Sequence, residues 1–272
     1  MVFRGTWWLP LALVALTCAL QCALVLGDAD FESVRVLMTK DSSGKAGDPK
    51  EKYWHESTFH PHLDGRFIDH DLKYEDQQTN LTSLMQSYLS TMADLGAETW
   101  IIHGTLMGWW WNRKIMPWDS DVDVHVSADT MHFLASYYNM TIHTCRTEHA
   151  PRGKNYMLEV NPKWVNNSPE DSLNTIDARW IDMLSGVFID ITAVHRTPKR
   201  PGMMFCKDDH HYREADLFPL RDSVFEDRPV KIPYNYAELL QQEYGRVSLT
   251  RTRFAGHTFN STSQTWTRNS KS

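Results

Sequence analysis

Four cysteines in 272 residues, two of them inside an apolar stretch, are too few for a disulfide-dense secreted scaffold. Glycine and proline, 13 and 12 in number, are too scarce for a collagen-like or low-complexity chain. Positive charge is not in excess either. With 28 Lys and Arg against 34 Asp and Glu, the formal charge is −6, which argues against electrostatic capture of a polynucleotide, so no nucleic-acid partner is expected. The chain has no Gly-x-Ser-x-Gly elbow and no repeat of fixed period, which removes that class of serine hydrolase and the solenoids. What it has in quantity is aromatic residues, 12% of the total with 11 Trp, more than a disordered chain carries.

Charge is also missing locally. Between Arg4 and Asp28 there is no charged residue, and residues 7–26 are apolar apart from Thr17 and Gln21. Residues 1–27 therefore read as either a cleaved secretory signal or an uncleaved type II anchor. Both place the rest in the secretory lumen, in the Golgi or endoplasmic reticulum or beyond as a secreted protein, with a membrane partner if the segment is retained. Sequons at Asn80, Asn139, Asn166 and Asn260 agree with that compartment. With Cys18 and Cys22 in the apolar segment, Cys145 and Cys206 are left either to pair or to stand as two separate buried thiols. Residues 28–52 lack periodicity and read as a stem, leaving one domain over 53–272.

Apolar positions three or four apart predict a helix over 80–95, capped by Thr79 or Asn80 and stopped by Gly96. Strands are expected at 99–103, 121–126, 156–160 and 187–194, and helices at 106–112 and 129–138. A hairpin about Glu226 and Asp227 and a helix over 236–244 follow. Helices interleaved with a mixed sheet give an α/β or α+β class.

The most informative residues are acidic. In an extended Pro117-Trp118-Asp119-Ser120-Asp121-Val122-Asp123-Val124, period two sets Asp119, Asp121 and Asp123 on one face and the valines on the other. Such a row of like charges is unfavourable unless it is well solvated or neutralised by a hard divalent cation. Asp190, inside the apolar strand Val187-Phe188-Ile189-Asp190-Ile191, is costly to bury unless it is paired or bound to a cation. If the two strands are neighbours, Asp190 completes a site for Mg²⁺ or Mn²⁺. Gly104-Thr105, opening a helix after a strand, offers free amides to a phosphate.

The run His103-Gly104-Thr105-Leu106-Met107-Gly108, followed by Arg113-Lys114-Ile115-Met116-Pro117-Trp118-Asp119-Ser120-Asp121-Val122-Asp123, resembles the signature of the LicD family of nucleotidyltransferase-fold proteins. That family includes bacterial phosphocholine transferases, fukutin and its relatives, and fungal proteins of cell-wall mannosylphosphate transfer. Arg179, Asp190 in its strand, Phe218-Pro219-Leu220 and Tyr244-Gly245 follow in the family's order. Tyr53-Trp54-His55 and Asp64-Gly65-Arg66-Phe67 are most similar to the fungal mannosylphosphate branch.

The resemblance implies transfer of a phosphorylated sugar or alcohol from a nucleotide diphosphate donor to a glycan or glycoprotein hydroxyl. By position it implies Asp121, Asp123 and Asp190 as catalytic metal ligands, Asp119 as an outer ligand, and Gly104, Thr105 and Trp118 as substrate-binding. It adds Arg113, Lys114 and Arg179 as cations for phosphoryl charge. Ser120 stands where the family often has Asp, and Trp110-Trp111 replace smaller or basic residues.

Two other functions fit the same acids: a glycosyltransferase using a DxD metal site, and a non-catalytic accessory of a glycan phosphotransferase. The 13 histidines, among them His55, His60, His62, His70 and His210-His211, show no zinc-ligand spacing with the cysteines, and surface or core roles are expected for them. Of Trp109, Trp110 and Trp111, one or two at most line a sugar pocket, with packing expected for the others.

Overall fold

The structure, a computed structural model, describes residues 23–28, 41–44, 48–168 and 170–269. Most of the apolar segment and much of the expected stem fall outside these residues, although Ala23–Asp28 forms an edge strand, β1. Among the described residues, no helix is long and apolar enough to cross a membrane.

Helix α1 (Tyr74–Leu95) carries the expected stripe, with Leu81, Leu84, Met85, Tyr88 and Met92 buried. It ends as read, on Gly96 at φ 68°, where a left-handed residue returns its amide to the last carbonyls. It begins six residues earlier than the apolar stripe, because the first turn is polar. Glu75 and Asp76 there favour the positive helix end.

Strand β2 (Thr99–Ile101), helix α2 (His103–Asn112), strand β3 (Asp123–Ser127) and helix α3 (Ala128–Tyr137) follow. Strands β4 (Thr141–Thr147), β5 (Ala150–Val160), β6 (Ala178–Asp182) and β7 (Phe188–Arg196) complete the main sheet, in the order β1-β4-β5-β6-β7-β3-β2. Only β3 and β7 pair in parallel within that order, so the sheet is mixed. Two short strands, β8 (Met203–Phe205) and β9 (His211–Arg213), extend from β7, and helix α4 (Glu214–Leu217) follows them. The hairpin of β10 (Arg221–Phe225) and β11 (Arg228–Ile232) turns on Glu226 and Asp227, both at positive φ. Helix α5 (Tyr236–Tyr244) and a three-stranded sheet of β12 (Arg253–Phe254), β13 (His257–Asn260) and β14 (Thr265–Arg268) end the described chain.

The two faces of the sheet differ. On one, Trp180, Ile189, Ile191, Val124 and Val126 pack with α1 into the main core. The Trp180 indole donates to Ser87 Oγ at 3.0 Å, so its polar edge is satisfied inside that core. On the other face stand Arg179, Asp190, Asp123 and His125, at the alternate positions of the same strands.

The strand read at 121–126 is shorter than expected, beginning at Asp123. Asp119 and Asp121 therefore sit in the loop that enters it, and strand alternation does not place them. That loop is held by other means: Asp119 N–H donates to Met116 O at 3.0 Å, and Gln78 Nε2 of α1 donates to Asp119 O at 3.3 Å. The chain returns across α2 just before the loop, so closely that a Cβ on Gly108 would stand 2.4 Å from the Lys114 carbonyl oxygen. Gly108→Ala is expected to cost about 1–3 kcal/mol from overpacking against backbone. Thermal unfolding checks this through a Tm lowered by several degrees, and an unchanged Tm would show that the return segment yields freely.

Candidate functional site

Strand pairing builds the site from a row of charges. Glu159 on β5 lies opposite Arg179 on β6, Arg179 opposite Asp190 on β7, and Asp190 opposite Asp123 on β3. Residues paired in register project from the same face, so four ionisable side chains run across four adjacent strands.

Arg179, 4% exposed, donates from Nε to Asp190 Oδ1 at 2.7 Å and from Nη2 to Glu56 Oε1 at 3.0 Å. Its guanidinium also lies over the rings of Phe188 and Trp54, 3.8 and 4.7 Å from the centroids. Arg179 is thus committed to orienting Asp190. Burial raises the Asp190 pKa, against the opposing pull of Arg179.

Asp123 is fixed from behind. Its N–H donates to Thr105 Oγ1 at 2.9 Å, and its carbonyl accepts from Ile102 N–H at 3.4 Å. Thr105 therefore ties the acid strand to the first turn of α2. The cap of that helix, Ile102, makes no side-chain cap bond, so the first amides lack partners within the helix. Burial and the nearby Asp190 and Asp121 push the Asp123 carboxyl up to about 8. Asp119 is pushed up to about 7 by burial and by Asp121. Asp119 Oδ2 lies over the start of α2, 3.6 Å from where a Cβ on Gly104 would be. Between the acids, Ser120 Oγ meets His62 Nδ1 at 2.6 Å.

A cavity of about 430 Å³ opens onto these groups. Gly104, Thr105, Asp119, Asp121 and Asp123 form its polar end, and Trp111, Trp118, Phe254 and Trp266 form its walls. Trp118 lies edge-on to Trp266 at 4.9 Å and to Phe254 at 5.3 Å, and Trp111 to Trp266 at 4.9 Å. Tyr244, Ser248 and the exposed Arg251 also line it. Burial and Glu243 hold the Tyr244 phenol well above its ordinary range.

Of the residues singled out in the sequence, Gly104, Thr105, Trp118, Asp119, Asp121 and Asp123 share this cavity, while Asp190 and Arg179 stand beside Asp123 in the sheet. Arg113 and Lys114 are elsewhere. Arg113, at φ 65° after α2, stacks on Trp109 and donates to the Trp109 carbonyl, and Lys114 pairs with Glu226 and Asp227. Of the tryptophan run, Trp111 lines the cavity. Trp109 bonds Ser223, and Trp110 bonds the Leu249 carbonyl. Sequence reasoning gave no site role to Tyr244, which it noted only as part of the family's pattern, and none to Arg251, which lies in no motif. Cys206 is a free buried thiol and Cys145 is in a disulfide, so the two neither pair with each other nor both stand as thiols.

The acids are all oxygen donors, which suits a hard cation such as Mg²⁺ or Mn²⁺. Among the described residues, no three of them bring carboxylate oxygens within 4.8 Å of one another, and none of Asp119, Asp121 and Asp123 is in an ion pair. That spacing fits an ion that keeps several waters and takes only one or two carboxylates directly.

A family model described as LicD/FKTN/FKRP, nucleotidyltransferase domain, matches residues 96–235. The chain is also similar to two proteins of Saccharomyces cerevisiae. Mannosyltransferase regulator 4 is 31% identical over 141 residues, 50% of this chain and 12% of that protein. Mannosyltransferase regulator 14 is 32% identical over 139 residues, 49% of this chain and 14% of that protein. The matched part is thus a small fraction of either relative.

Replacing Arg179 by Ala leaves the carboxylate of Asp190 without its cation, while Glu56 keeps Lys52, and the expected loss is about 3–5 kcal/mol. Urea unfolding measures it. A loss under about 1 kcal/mol would show that the pair contributes no more than an exposed one.

Proposed function

Because the chain belongs to the LicD/FKTN/FKRP nucleotidyltransferase-domain family, we propose that it is a metal-dependent phosphotransferase that moves a phosphorylated sugar or alcohol from a nucleotide diphosphate donor to a glycan hydroxyl. The observation that carries this reading is a single cavity with carboxylates and a helix start at one end and aromatic walls around the rest. The names of the two similar yeast proteins, both mannosyltransferase regulators, favour a mannosyl unit in what is moved; in this proposal the transferred group is mannosylphosphate, the acceptors are glycoproteins and the compartment is the secretory lumen.

In this reading Asp121 and Asp123 hold the cation, with Asp190 beside them and Asp119 as an outer contact. Bound there, Mg²⁺ or Mn²⁺ would shield the donor's diphosphate charge. The first amides of α2, at Gly104 and Thr105, receive phosphate oxygens. Arg251, at the cavity wall, supplies the cation in place of Arg113 and Lys114, whose side chains are engaged with Trp109 and with Glu226 and Asp227. The faces and edges of Trp118, Phe254 and Trp266 take the base or sugar of the donor and exclude water around it. The acceptor hydroxyl attacks the distal phosphorus of the donor, the phosphoanhydride bond breaks, the nucleoside monophosphate leaves and the hydroxyl proton is released.

The names of the two yeast relatives favour a second reading, in which the domain assists another transferase. The two separate in one experiment. The full chain, purified in detergent, is incubated with Mn²⁺, nucleotide diphosphate sugars or alcohols and glycan acceptors, and release of nucleoside monophosphate is followed. The expected result is monophosphate release with a phosphorylated glycan product. Asp121→Asn with Asp123→Asn should lower the rate at least about 1000-fold, and Arg251→Ala should raise the donor KM by roughly 10-fold, the equivalent of one charge-assisted hydrogen bond. Nucleoside diphosphate release with an unphosphorylated product would instead identify a glycosyltransferase. Intact donors throughout would leave the accessory reading.

A further inference from the structure

Next to the acid cavity lies a second cluster of a different chemical kind. The turn between β8 and β9 is tight, with Cys206 N–H donating to His210 O at 3.1 Å and Asp209 N–H to Cys206 O at 3.3 Å. It presents Cys206, Asp208 and His210 toward β3 and the start of α2. His125, two residues beyond Asp123 on β3, shares that strand's polar face, and His103 is the first residue of α2.

Two overlapping groups of ligand atoms result, each mutually within 4.8 Å: His125, Cys206 and Asp208, and His103, Asp208 and His210. The burial is unusual for such groups. His125 is 1% exposed and Cys206 2% exposed, yet neither ring nitrogen of His125 has a hydrogen-bond partner, and neither does His103 Nε2. A buried imidazole with both nitrogens unsatisfied is costly, and a cation bound to one of them removes half of that deficit.

We propose that His125, Cys206 and Asp208 hold a zinc-class cation, separate from the oxygen-donor cavity, and that His103, whose Nε2 faces the same Asp208 carboxylate, draws in as the fourth, tetrahedral ligand. Zinc–nitrogen and zinc–oxygen distances of about 2.1 Å put two tetrahedral ligand atoms roughly 3.4 Å apart and two ligating imidazole centroids roughly 5.2 Å apart. Here His103 Nε2 is 3.7 Å from Asp208 Oδ2, and the rings of His103 and His125 are 5.3 Å apart. The surroundings are also those of a ligand set. His103 Nδ1 contacts Glu243 Oε1 at 2.9 Å, which leaves Nε2 to face the cation. His210 Nδ1 approaches Asp208 Oδ2 at 3.1 Å and supports that carboxylate from outside the set.

A thiolate with two imidazoles selects zinc over magnesium, and four protein ligands close the site to substrate. On binding, the cation displaces the Cys206 thiol proton to solvent. Its role is to clamp the residue before Gly104 and the residue two beyond Asp123 onto one turn, setting the distance between the helix start and the acids. The histidines were unremarkable in the sequence because His103 and His125 come from separate segments, each far from the turn that carries Cys206 and Asp208.

The test uses the full chain purified in detergent without chelator. Elemental analysis should find about one zinc per chain, retained on dialysis against Mg²⁺. Cobalt(II) exchanged into the protein should give intense visible bands and a near-ultraviolet thiolate charge-transfer band. Cys206→Ser should abolish the near-ultraviolet band, and Glu243→Gln, with its half-exposed side chain, should weaken cobalt binding by about 10- to 100-fold. Folded chain that retains no zinc and shows no thiolate–cobalt band would overturn the proposal. So would bound cobalt whose spectrum is the same in Cys206→Ser, since a plain ion-pair network of His103, Asp208 and Glu243 predicts that result. If Cys206→Ser does not fold, the cobalt spectrum of the unsubstituted chain and the Glu243→Gln titration decide the matter.

Discussion

The parallel pairing of β3 with β7 is the constraint on which the site rests. Its register sets Asp123 against Asp190, bringing together two carboxylates 67 positions apart in the chain, and each raises the cost of ionising the other. A pair of this kind persists because its surroundings compensate. Arg179, in register on the next strand, supplies a buried charge to Asp190, and Glu56 keeps that arginine from being drawn elsewhere. On the far side, Thr105 accepts the Asp123 amide and brings the start of α2 to the same place.

Much of this was legible in the sequence, for identifiable reasons. The valines alternating with aspartates around Asp123, and Asp190 alone in an apolar strand, mark residues whose polarity is at odds with their strand, and such conflicts concentrate at functional sites. Helix α1 and helix α5 were legible from apolar periodicity and glycine stops. Strand β4 was not. Its inward positions are Thr141, His143, Cys145 and Thr147, polar or small residues whose burial pattern alternates although their hydropathy does not. The same limit hid Arg251, which reaches the cavity by tertiary folding from a stretch with no motif.

Arg179 shows where resemblance and geometry part. Its position in the sequence suggests a cation for phosphate, but its guanidinium is buried between two carboxylates and two aromatic rings. Lys114 is likewise engaged, at the β10–β11 turn. Charge in a sequence marks a side chain that can meet an anion, and the fold decides which anion it meets.

The cavity is assembled from two stretches of chain, of which the family match covers one. Its acids and the opening of α2 lie inside the family-matched residues 96–235, whereas Tyr244, Arg251, Phe254 and Trp266 lie beyond them. In the proposed reading the bond-making groups lie within the matched residues, and the wall that meets the donor is completed by aromatic and basic side chains from the segment after them. Substitutions confined to that segment would then alter which donor is accepted while leaving the carboxylates and the helix start as they are.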